Sequence, residues 1–201
     1  MTALLLSGGM DSISILYWKK PDIALTIDYG QNCAKAEINA AEYACKILNI
    51  KHYVLSINCA ELGSGDLSKN LTTNEYAPHS DWWPYRNQLL ITFAAMYLLK
   101  FKVKKILIGS LKPDEQFKDG TDKFTKLISE LISFQEGGII VEAPAINMTA
   151  MELIEKSKIP KSILFCAHSC HKKNIPCGNC RGCNKFIRIF DKLEESKKEN
   201  L

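Results

Sequence analysis

The chain has 201 residues, 46% hydrophobic and 24% charged, with a formal net charge of +4. This is ordinary globular composition, long enough for one real core, and it excludes a disordered or fibrous chain. No apolar stretch reaches the length of a bilayer span and "MTALLL" lacks the basic start of a signal peptide, so a cytoplasmic location is expected; the mild charge permits a nucleotide partner without demanding one.

Residues 3–6 form an apolar run that reads as a buried strand of a parallel sheet. Gly8 and Gly9 stop it, and Asp11, a helix-capping residue type, opens a helix predicted over 12–20 and ended by Pro21. Residues 22–30 read as a second buried strand. In 34–50, Ala34, Ile38, Ala41, Cys45 and Leu48 share one helix face, which makes Cys45 a core residue rather than a ligand. A third strand is predicted over 51–57. Residues 58–85 are irregular and hold Trp82 and Trp83; segments of this length tend to serve as functional lids, and this one is the candidate lid. A helix over 87–101, a strand over 104–110, a helix over 122–134 and a strand over 138–144 follow. Thr149 and Glu152 have capping-box spacing, so a further helix starts there. Strands alternating with helices predict an α/β fold, a mostly parallel sheet with helices on both faces. Ligands bind such sheets beyond the carboxyl ends of the strands, where Gly8, Gly9, Gly30 and Gly109 all fall.

Two motifs carry chemistry. The first is Ser-Gly-Gly-x-Asp-Ser at residues 7–12, which is neither a Walker loop nor a dinucleotide fingerprint. Its glycines let backbone N–H groups approach a phosphate, and the helix start adds partial positive charge. Asp11 faces phosphate favourably only through a cation, so it is expected to hold Mg²⁺. The second is the run Cys166, Cys170, Cys177, Cys180, Cys183. In a reducing cytosol such a cluster points to a metal rather than to disulfides. Four thiolates close a tetrahedral zinc site at about 2.3 Å. A ferredoxin-type cluster run is broken by Asn184 and Lys185. On spacing alone Cys166, His168 and His171 compete with Cys170 as the fourth ligand.

"SGGMDS" resembles the pyrophosphate loop of the PP-loop ATP-pyrophosphatase superfamily, which cleaves ATP between the α and β phosphates and adenylates a carbonyl or carboxyl oxygen. With "TIDYGQ" (26–31) followed by Glu37, "YRN" (85–87) and "CHKKNIPCGNCRGC" (170–183), nearly the whole chain resembles, in order, the 7-cyano-7-deazaguanine synthase (QueC) family. The resemblance implies a Rossmann-like, adenine nucleotide alpha hydrolase-like domain over 1–160 and a zinc-binding segment over 161–201. It implies ATP-dependent conversion of 7-carboxy-7-deazaguanine and ammonia to the nitrile preQ0 in queuosine biosynthesis, by a homodimer. Asp11, Ser12 and Arg86 would be catalytic. Leu6, Ser7, Gly8, Gly9, Met10, Asp11, Ser12, Ile27, Asn87 and Gly109 would contact ATP, with adenine near Ile27. Zinc would sit on Cys170, Cys177, Cys180 and Cys183; the family's upstream Cys follows Ser or Thr, as Cys170 follows Ser169.

The chain departs from the family at three loops. Asn32-Cys33 stand where Arg-His is usual, Tyr85 where Gly is usual, and "QFKDGTDKF" keeps Asp119 and Phe124 but lacks the usual Cys-Arg pair. These departures leave ATP activation intact and open the acceptor: ammonia, another amine, or a protein amine. A PP-loop tRNA thiolation enzyme is the rival reading, with Cys33 as its thiol; a nucleotide-binding module without turnover is another.

Overall fold

The computed structural model describes residues 1–69 and 74–198. Five strands form one sheet in the order β3-β2-β1-β4-β5, every neighbouring pair parallel: β1 (Thr2–Leu5), β2 (Ile23–Asp28), β3 (Lys51–Ser56), β4 (Lys105–Leu107) and β5 (Ile140–Glu142). Successive side chains point to opposite faces of a strand, and both faces here are apolar. Leu4, Leu6, Ala24 and Leu107 pack on one side with helices α1 (Met10–Lys19), α2 (Ala34–Leu48), α5 (Ala150–Ser157), α6 (Lys161–Leu164) and α7 (Arg181–Lys198). Ala3, Ile23, Leu25, Ile27, Ile106 and Ile108 pack on the other with α3 (Arg86–Leu98) and α4 (Asp122–Ser133). The strand order reverses between β1 and β4, so the loops after these strands share the crevice where such sheets take ligands.

Several boundaries shift from the sequence reading for identifiable reasons. Helix α1 begins at Met10, and its cap is Gly9 rather than Asp11, which lies in the first turn. Asp11 therefore caps nothing, and its carboxylate is free for another task. The buried face of α2 is Ala40, Ala41, Ala44 and Cys45, turned slightly from the predicted stripe. Cys45 is buried as expected, which pushes its thiol up to about 12. The capping box is present: Thr149 Oγ1 accepts the Glu152 N–H, and Glu152 accepts from the Thr149 N–H at 2.7 Å. Helix α7 was not anticipated, yet its pattern is plain: Phe186, Ile189, Phe190 and Leu193 recur at helical spacing and join the core, with Phe165 stacked on Phe190 at 4.2 Å.

Residues 58–85, expected as a lid, are packed where described. Trp83 is buried with its ring edge-on to Tyr29, 4.9 Å between centroids. The Asn32 amide donates to the Asp66 and Ser68 carbonyls, and Ser64 Oγ to the Trp82 carbonyl. Residues 70–73 lie outside the described part.

Candidate active site

The loop after β1 is built from its backbone outward. Leu6 extends the sheet through its N–H to the Leu25 carbonyl, and its own carbonyl accepts from Thr26 Oγ1 at 2.7 Å. Gly8 then turns with φ +72°, and a Cβ there would lie 2.3 Å from the Glu37 carbonyl oxygen, colliding with the backbone of α2. The Gly8 carbonyl accepts the His168 N–H at 2.9 Å, which ties the loop to the cysteine segment. Ser7 Oγ and Ser12 Oγ meet at 3.1 Å; Ser12 also donates to the Gly9 carbonyl. Met10 points into the core, so only its backbone is available to a ligand. Gly109, after β4, lies against Ser12 without clash, completing the crevice at the strand reversal.

Asp11 is the charged group of this loop. Its Oδ2 accepts from Lys185 Nζ of α7 at 2.5 Å, while the buried Oδ1 has no hydrogen-bond partner among the described residues. Burial raises the Asp11 pKa above the ordinary carboxylate value, against the opposing pull of Lys185.

A second group stands at the ends of β2 and α3. The Gln31 amide donates to Glu37 at 2.7 Å and to the Ile27 carbonyl, while its oxygen accepts the Tyr29 N–H. Desolvation raises the pKa of the half-buried Glu37 despite hydrogen bonds from Gln31 and Cys33. Burial likewise pushes the Cys33 thiol up, and Glu37 adds to the shift. A thiol so held is protonated and unreactive, which weighs against Cys33 as a sulfur carrier. Burial works against the charge of Arg86, but Tyr29, Asp119, Asp81 and Glu37 outweigh it and raise its pKa. A cation at a helix start calls for an anion. The protein itself supplies one: Asp119 accepts the Asn87 backbone N–H at 3.1 Å, and its carbonyl accepts from the Asn87 side chain at 2.8 Å. Tyr85, just before, takes a left-handed φ of 52°, a conformation glycine adopts without strain.

The four cysteines converge. Sγ atoms of Cys170, Cys177, Cys180 and Cys183 all lie within 4.8 Å of one another. The Cys177–Cys183 and Cys170–Cys180 separations are both 3.9 Å. A tetrahedron with metal–sulfur bonds of about 2.3 Å has edges of about 3.8 Å, so the set fits a single ion. Backbone N–H groups of His171 and Cys183 point at Cys180 Sγ, as a thiolate requires. The competing ligands are used elsewhere: Cys166 donates to the Ser162 carbonyl, His168 Nε2 meets the Lys173 carbonyl, and His171 Nδ1 stands 3.3 Å from Asp81. Gly182 sits so close to the Ser169 carbonyl that no side chain fits.

Asp81 joins the irregular segment to this cluster. Burial would raise its pKa, but His171 and Arg181 outweigh that and hold it at about 2. Lowered from 3.8, this carboxylate contributes stability that is present above about pH 4 and drains as pH falls towards 2. Asp81→Asn is therefore expected to cost about 2 kcal/mol at neutral pH. In urea denaturation, the gap from wild type should close as pH falls from about 4 to 2; a gap constant across that range would exclude the ion pair as its source.

The sequence profile described as "Queuosine biosynthesis protein QueC" matches residues 2–194. The chain belongs to the QueC family. Relatives named 7-cyano-7-deazaguanine synthase include one from Desulfitobacterium hafniense, 28% identical with 98% of this chain and 95% of that one covered. Others come from Methanocaldococcus jannaschii, 28% identical with 92% of each chain covered, and Campylobacter jejuni, 26% identical with 94% and 92% covered. The QueC chain is thus an enzyme of a family whose named members are synthases. Among solved structures, the U34-tRNA thiolase NcsA from Methanococcus maripaludis with its [4Fe-4S] cluster aligns at TM-score 0.50 and 17% identity, covering 97% of this chain and 65% of that one. That likeness shows the shared fold. Of the expected site residues, Ser7, Gly8, Asp11, Ser12 and Gly109 come together; Arg86 and Asn87 gather around Tyr29 and Asp119, and Glu37 links that group to Gly8. Sequence reasoning missed Lys185, Asp81 and Arg181 as members of this strand-end face.

Proposed function

We propose that this QueC chain adenylates 7-carboxy-7-deazaguanine with ATP and uses ammonia to form the amide and then the nitrile. The observation that supports it best is the serine- and glycine-lined loop at residues 7–12, set at the strand reversal of a chain with QueC sequence throughout. Backbone N–H groups of the loop and the Ser7 and Ser12 hydroxyls would hold the β,γ-phosphates as leaving pyrophosphate. The substrate carboxylate then attacks the α-phosphorus, forming an acyl-adenylate and releasing pyrophosphate. Ammonia displaces AMP to give the amide. A second ATP activates the amide oxygen in the same way; loss of AMP and two protons leaves the nitrile. Residues 1–160 would serve as the nucleotide-binding unit, with adenine near Ile27.

Asp11, with its unpartnered Oδ1, would hold Mg²⁺, which offsets charge on the departing pyrophosphate. Cys170, Cys177, Cys180 and Cys183 would hold zinc as a structural ion, all four positions being filled by protein. Arg86 and Asn87 would orient the acid substrate, and residues 58–85 would keep water from the adenylate. The setting is read as cytoplasmic and the assembly as a homodimer; among the described residues no helix is long and apolar enough to cross a membrane.

A second reading is favoured by the loop departures: Asn32 is spent on the 58–85 segment, and Cys33 is buried against Glu37. The same adenylate would then pass to another amine, a protein amine included. Incubation with ATP and 7-carboxy-7-deazaguanine, with and without ammonia, should give AMP, pyrophosphate and nitrile by mass spectrometry. ADP and phosphate would overturn the adenylation; amide or protein conjugate without nitrile would select the second reading.

A further inference from the structure

We infer that Lys185, delivered by the cysteine segment, is a pyrophosphate-contacting residue of the ATP site. The inference rests on reading residues 7–12 as the pyrophosphate loop. Helix α7 is fixed in two places. Cys180 and Cys183 hold its start at the four-sulfur cluster, and Phe186, Ile189 and Phe190 sink into the core about one turn on. Between those anchors, Arg181 and Lys185 are four residues apart and so share one face. Each reaches a carboxylate of the strand-end face: Arg181 lies 3.4 Å from Asp81, and Lys185 Nζ lies 2.5 Å from Asp11.

The arrangement brings a lysine ammonium to the loop that must receive the most highly charged part of the nucleotide. Backbone N–H groups supply only partial charges to such an anion. The ammonium carries a full charge and three donors. Asp11 Oδ2 uses one of the three, which leaves two for phosphate oxygens. The buried Asp11 Oδ1, which has no hydrogen-bond partner among the described residues, is the second observation: the pair keeps an open acceptor beside the loop. Leaving a buried carboxylate oxygen unsatisfied is costly, and a ligand or cation bound at this loop would relieve that cost. Lys185 also explains why the cysteine segment belongs to this enzyme: the metal cluster fixes the start of the helix that presents the cation.

The test measures binding of Mg²⁺-pyrophosphate and Mg²⁺-ATP to metal-loaded protein by calorimetry, in wild type, Lys185→Met, Lys185→Arg and Arg188→Met. Arg188 is exposed on the same helix and its Nε donates to the Asn184 carbonyl, so its substitution controls for net charge. Lys185→Met should weaken pyrophosphate about 10- to 100-fold, as expected for loss of a charged hydrogen bond, and raise the KM for ATP. Lys185→Arg should recover most of it, and Arg188→Met should match wild type. Equal affinity in Lys185→Met and wild type would overturn the assignment of the lysine alone. A wild-type protein that binds neither ligand would overturn the loop reading as well. If Lys185→Met loses its metal or fold, amine labelling of wild type decides the matter. Mg²⁺-pyrophosphate should slow acylation of Lys185 and spare exposed Lys126; equal labelling of Lys185 with and without it would overturn the proposal.

Discussion

Asp11→Asn is expected to lower AMP release about a hundredfold or more while leaving the thermal midpoint close to wild type. The substitution keeps side-chain size in the first turn of α1 and removes one charge. Lys185 then faces an amide instead of a carboxylate, and the buried oxygen proposed to hold Mg²⁺ no longer carries negative charge. Electrostatic groups aimed at developing charge are typically worth about 3–4 kcal/mol, which sets the size of the loss. The measurement is turnover across a Mg²⁺ titration beside a melting curve. Unchanged turnover would remove Asp11 from the mechanism, and a matching fall in stability would make its role structural.

The second large effect concerns the zinc proposed at the four cysteines. Cys180→Ala should take the bound metal from about one zinc per chain to near none and lower the melting temperature by about 10 °C or more, because ligation free energy is folding free energy. Cys180 is the informative position. It is buried, it receives two backbone N–H groups, and its sulfur stands 3.9 Å from that of Cys170. Elemental analysis and thermal denaturation check the outcome. A variant that keeps both metal and melting temperature would exclude Cys180 as a ligand.

The sheet, the loop at residues 7–12, the capping box at Thr149 and the four-cysteine set were legible because each is written in neighbouring residues. What escaped was written across distance. Asp11 reads as a cap from its place before an apolar run, yet Gly9 takes that position and frees the carboxylate for Lys185, 174 residues away. Arg86 reads as a cation beside a substrate anion; folding also brings Asp119, 33 residues on, to the start of its helix, which no local pattern announces. Tyr85 marks a different limit: nothing in its residue type announces the left-handed φ of 52° that it adopts. Helix α7 is written in the spacing of Phe186, Ile189, Phe190 and Leu193, a pattern that begins only three residues past the last cysteine of the cluster.

The bond from the His168 N–H to the Gly8 carbonyl has a consequence for how the protein is made. During synthesis the glycine turn emerges long before the residues that brace it, and loop closure over such a separation is slow and entropically costly. A chain interrupted between the two would carry residues 7–12 without the His168 bond that ties them to the cysteine segment. On the proposed reading of residues 7–12, such fragments should bind ATP less well than the full chain.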